Sequence, residues 1–147
     1  MGVGVIGRNL PTASLQPIVN AIRAQLDHVV RGGINIYDTQ APPNLEEKDF
    51  PLVVFTIRAI VPETGFGTAP DNLLGALHVF HYSFAKNGAA ELRAVEDQIF
   101  ALLHRSRLTA IGYCDLQLRC LVRGGIDFVD ESLFGQTDQY EIRGAEV

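Results

Sequence analysis

GALHVFHYSFAKNGAAELRAVEDQIFALLHRSRL, residues 75–108, decides the fold. In its first part His78, Phe80, Tyr82 and Phe84 alternate with Leu77, Val79, His81 and Ser83. A period of two, rich in aromatic and β-branched residues, predicts a strand. Asn87-Gly88 then turns the chain and the period changes. Leu92, Val95, Ile99, Leu102 and Leu103 recur at helical spacing, with Arg93, Glu96 and Asp97 on the other side. Glu91 complements the helix start, and His104, Arg105 and Arg107 crowd its end, the favourable order for the macrodipole. Strand, tight turn and returning helix make one packed unit.

Upstream, residues 14–31 predict a second amphipathic helix. Ser14 caps it, Pro17 sits in its first turn, and Gly32-Gly33 ends it. Leu15, Ile18, Val19, Ile22, Leu26, Val29 and Val30 form its apolar face. A short strand over 34–38 follows, then a solvated loop over 39–51 with three prolines and the run Glu46-Glu47-Lys48-Asp49. LVVFTIRAIV, residues 52–61, reads as a strand whose wholly apolar face is Val53, Phe55, Ile57, Ala59 and Val61. The 62–74 loop is long for a compact domain and carries Phe66, Leu73 and Leu74.

Downstream, CDLQLRCLVR (114–123) turns Cys114, Leu116, Leu118, Cys120 and Val122 inward and Asp115, Gln117, Arg119 and Arg123 outward. That pattern fits an antiparallel sheet with one packed face and one wet face. Residues 126–129 resume the strand, a loop over 130–138 carries Phe134, and Tyr140–Arg143 forms the last strand. The order α-β-β-β-α-β-β predicts an α+β fold: a mainly antiparallel sheet with two amphipathic helices packed on one face. The domain spans 14–147, preceded by a flexible arm over 1–13. RGGINIYD (31–38) and RGGIDFVD (123–130) share five of eight residues, which reads as chance or shared turn chemistry and not duplication.

The chain has 147 residues, 47% hydrophobic and 20% charged, the composition of an ordinary globular domain. A net charge of −5 argues against a generally basic nucleic-acid surface. No apolar run reaches the ~20 residues of a membrane span and no leader pattern is visible, so cytosolic production is expected. Cys114 and Cys120 lie roughly 20 Å apart in one extended strand, too far to bond, and read as buried thiols. Gly2, Gly4 and Gly7 match GxGxxG but have no strand before them and Pro11 soon after, so no cofactor is expected. His78 and His81 point to opposite faces of a strand and cannot share a metal ion. No Ser, Cys or carboxylate stands in a recognisable catalytic motif. The residues give no active site.

In order of elements and local pattern, residues 14–143 resemble the tail terminator, or tail-completion, proteins of tailed bacteriophages. The likeness is carried by the helix ending at Gly-Gly, "GINIYD" (33–38), the proline-rich loop and "FPLVVFTI" (50–57). It continues through "LHVFHYSFAKNG" (77–88), "AAELRAVEDQIFALLH" (89–104) and "CDLQLRCLVRGG" (114–125). The resemblance implies a structural virion protein without enzymatic mechanism. Such a protein is made in the host cytoplasm and forms a homohexameric ring at the head–tail junction. The ring caps the tail tube and joins it to a head-completion or neck protein, while DNA passes through the lumen without specific binding. Contacts with copies or partners are expected at Phe66, Leu73, Leu74 and Phe134, with Arg58, Arg119 and Arg123 as candidates for salt bridges between subunits. Two other readings stand beside this one: another neck or tail-tube component, and a small cytosolic enzyme or ligand-binding module with a pocket near His78 and Tyr82.

Overall fold

A computed structural model describes residues 15–62 and 72–146; the expected arm, the Ser14 cap and Phe66 lie outside the described residues. The first helical stretch divides into α1 (Gln16–Gln25) and α2 (Asp27–Arg31), because Leu26 leaves helical geometry at φ −89°, ψ 0°. Pro17 occupies the first turn of α1, where no intrahelical N–H is needed. Ile18, Ile22, Leu26 and Val29 are buried, as their spacing requires. Leu15 and Val30, at the outer margins of the same stripe, are exposed instead.

Seven strands are described: β1 (Asn35–Asp38), β2 (Leu52–Pro62), β3 (Asn72–Phe84), β4 (Arg107–Leu108), β5 (Tyr113–Arg123), β6 (Asp127–Phe128) and β7 (Leu133–Glu146). They form one sheet in the order β1-β2-β3-β7-β5-β4, with β6 also paired to β7. Only β1 and β2 run parallel; the other pairs are antiparallel. Helix α3 (Ala89–Leu103) follows β3 through a short 3-10 turn at Ala85–Asn87. Gly88 makes the reversal at φ +79°, a conformation that costs a glycine little.

The helices share one face of the sheet, which is an α+β architecture. Ile18, Ile22, Val95, Ile99 and Leu103 pack on Val53, Phe55, Leu77, Val79, Leu118, Tyr140 and Ile142. On β3 the alternation holds without a break from Asn72 to Phe84, and its helix-facing positions are the buried ones.

Where strands depart from strict alternation, a bulge is the cause. A bulge lets one extra residue into a strand and reverses which residues face inward beyond it. Between Ile57 and Ala59 the register of β2 shifts, so Ile60 packs on the core and Val61 faces out. In β5 the register shifts between Cys114 and Gln117, where Asp115 takes φ +55°, and again between Cys120 and Val122. Tyr113 is therefore buried, while Cys114 and Val122, both expected inside, are exposed. The 130–138 segment is not a loop throughout: β7 starts at Leu133, and Phe134 pairs with Ser83. Leu73 and Leu74 likewise belong to β3 and not to the preceding loop.

Candidate functional site

The densest group of polar side chains lies inside the domain, between α3 and the middle of the sheet. His81 of β3 and Asp138 of β7 are both fully buried, with Nε2 3.3 Å from Oδ2. The other Asp138 oxygen accepts hydrogen bonds from Gln136 Nε2 at 3.0 Å and from the Gly124 backbone N–H at 2.9 Å. Glu96, expected on the solvent side of α3, is buried. It is held by Arg123 of β5, whose Nε donates to Glu96 Oε2 at 2.9 Å and whose second nitrogen reaches Oε1. Arg123 also donates to Asp97 at 2.6 Å and stacks its guanidinium 4.1 Å from the Phe100 ring centre.

Electrostatics fits a sealed structural network. Burial pushes Asp138 upward, but the nearby His81, Glu96 and Gln136 side chains outweigh that and hold its carboxyl below the usual range. Burial and the neighbouring Asp138 push Glu96 upward, against the pull of Arg123. Burial also raises the Cys120 thiol and the Tyr140 phenol, so neither is an activated nucleophile. Among the described residues no group of three or more His, Cys, Asp or Glu side chains could hold a metal ion. Because His81 and Asp138 have no exposed surface, a substrate cannot reach them. What they can do is tie α3, β3, β5 and β7 into one body.

Surface features are of two kinds. On the helix-free face an apolar hollow of about 440 Å³ is lined by Phe50, Leu52, Val54, Phe80, Tyr82 and Val129, among others. Beyond it the β6 segment projects, with Phe128 and Val129 exposed and Phe128 resting on Phe134 at 4.8 Å between ring centres. Nearer the β4 edge a second hollow, of about 530 Å³, is walled by Arg105, Arg107, Arg119 and Arg143 around Glu141.

Among the described residues, those singled out in the sequence do not converge on one patch. Leu73 is buried in the core, Leu74 is half-buried in β3, and Phe134 is half-buried beneath Phe128. Arg58 lies 5.7 Å from the Phe80 ring centre. Arg123 is spent on Glu96 and Asp97, whereas Arg119 lines the basic hollow and contacts Glu141 at 3.3 Å. Arg105 and Arg107, read in the sequence only as complements to a helix end, join Arg119 and Arg143 in that hollow. The signal that would have found it is the density of arginine at 105–107, 119 and 143 in an otherwise acidic chain.

No family model matches the sequence, and no curated protein matches it. Among solved structures the chain is similar to one from the virion of a native gene transfer agent particle, with TM-score 0.67 and 15% identity over 91% of this chain and 98% of that one. A second solved chain matches with the same TM-score at 10% identity, over 91% of this chain and 97% of its own. At such identities the likeness is one of fold.

Proposed function

We propose that this chain is a structural virion protein, a tail terminator whose six copies close into a ring. The ring caps the tail tube and joins it to a head-completion or neck protein. The observation that carries the reading is the nearly end-to-end match of its fold to a chain of a phage-like virion particle. The arrangement of elements that resembles tail terminators over 14–143 points the same way, and so does the chemistry. The His81–Asp138 pair, the densest acid–base group of the fold, is buried away from solvent, which fits a protein that acts through its surfaces.

Mass in solution tests this directly. Analytical ultracentrifugation of the purified chain is expected to show a discrete species of six 16.1 kDa copies, about 97 kDa, visible as rings by negative-stain microscopy. Long tubes would make it a tube component instead. A monomer that saturably binds a small apolar ligand in the Phe80–Tyr82 hollow would make it a binding module.

A further inference from the structure

We infer that the 127–132 segment of one copy seats in the Arg105/Arg107/Arg119/Arg143 hollow of the next, giving the assembly its head-to-tail contact; the inference rests on the ring reading above. The hollow holds four guanidiniums against the single carboxylate of Glu141, in a chain whose net charge is −5. Arg119 and Arg143 both reach Glu141, while Arg105 and Arg107 meet no carboxylate among the described residues. Arg105 and Arg107 therefore leave the concave surface with two cations that no described carboxylate meets. It calls for an occupant that is acidic and projecting.

The 127–132 segment has that form. All six of its residues are exposed, and it carries Asp127, Asp130 and Glu131 with no basic residue. Its shape is fixed from within: Asp130 Oδ1 accepts from Ser132 N at 2.7 Å, Ser132 Oγ at 2.9 Å and Leu133 N at 3.0 Å. The Val129 N–H also donates to Leu133 O at 2.8 Å. Phe128 and Val129, 65% and 56% exposed, supply apolar surface that the carboxylates alone would lack. A preshaped projection spends little conformational entropy on docking. Burial of Phe128 and Val129 supplies affinity, and the opposite charges set register and speed of encounter.

The two surfaces cannot meet within one copy. Phe134, under the projection, and Glu141, in the hollow, are seven residues apart on the same strand, about 24 Å at the rise of an antiparallel strand. Different patches on opposite parts of each copy make a heterologous contact, which generates a ring when the rotation closes.

Paired charge reversals test this. Arg105→Glu with Arg107→Glu reverses the hollow; Asp127→Arg with Glu131→Arg reverses the projection and leaves the Asp130 hydrogen bonds intact. All four residues are exposed, and circular dichroism checks that each variant stays folded. Each double variant is expected to sediment as a monomer, its self-association weakened at least tenfold, at concentrations where the unsubstituted chain forms rings. An equimolar mixture of the two is expected to restore rings in which the variants alternate, a pattern open to an even-numbered ring. Rings that persist in both variants would overturn the contact and leave the ring reading standing. Failure of the mixture to restore rings would overturn the pairing of these two surfaces. An unsubstituted chain that forms no ring removes both readings. DNA retardation that is lost on Arg105→Glu/Arg107→Glu while ring mass is unchanged would assign the hollow to nucleic acid and overturn the inference.

Discussion

Asp138 shows how one side chain can both hide and hold a fold. Its position within β7 is alternation-perfect, yet the inward residues there are Gln136 and Asp138, polar types that read as loop. Asp138 Oδ1 is satisfied by the Gln136 amide and the Gly124 N–H, which offsets part of the cost of burying these polar groups. Replacing Asp138 with Ala would strand the Gly124 N–H, the Gln136 amide and His81. The expected loss is about 3 kcal/mol, the scale of leaving buried donors without a partner, read as a lower urea midpoint. The pH dependence has a definite sign. A carboxyl held low in the folded state contributes stability above the ordinary range near 3.9 and loses it as pH falls through the lower folded value. Urea midpoints of the parent are therefore expected to fall in acid, and Asp138→Asn is expected to flatten that limb. An unchanged acid limb in Asp138→Asn would refute the assignment.

At the scale of elements, the parts that were legible in the sequence are those whose inward face is uniformly apolar. The β3–α3 unit and the buried positions of α1 are of this kind, since their periods carry the burial directly. The parts that were not legible share a cause: a bulge or a buried polar residue interrupts the period. Cys114, Val61 and Val122 point outward for the first reason, and the start of β7 was hidden by the second. Glu96 was placed on the wet side because helical spacing cannot anticipate Arg123 arriving from β5. The two Arg-Gly-Gly stretches are likewise used differently. Gly33 ends α2 at φ +95°, whereas Gly124 lies so close to β7 that a Cβ there would run into the Thr137 carbonyl oxygen. Gly124→Ala is thus expected to destabilise by about 2 kcal/mol, the scale of overpacking, and Gly125→Ala, with nothing within 4 Å, to stay within ~0.5 kcal/mol of the parent. Equal denaturation midpoints for the two variants would contradict this account of the break between β5 and β6.

For the whole molecule, the candidate surfaces were legible only in part because an interface is a property of distant segments brought together. Arg105, Arg107, Arg119 and Arg143 come from a turn and three strands, and no local spacing announces them. Their pooling leaves the rest of the chain more acidic than its net charge of −5 implies, and six copies at −5 each carry −30. Duplex DNA presents one negative charge per ~1.7 Å, and nonspecific affinity for it comes from neutralising phosphates with Lys and Arg. In the proposed ring, with the basic hollow filled by a neighbour's carboxylates, DNA would meet few free cations. Electrophoresis of a DNA duplex with assembled rings is then expected to show no retardation even at about 50 mM salt, where electrostatic binding is strongest. Opening the proposed ring with Asp127→Asn and Glu131→Gln, which adds no cation of its own, leaves the hollow uncovered, and any weak retardation is expected only there. Strong retardation by intact rings would mean that arginines remain free on a surface DNA can reach, which is incompatible with a passage that lets the genome slide.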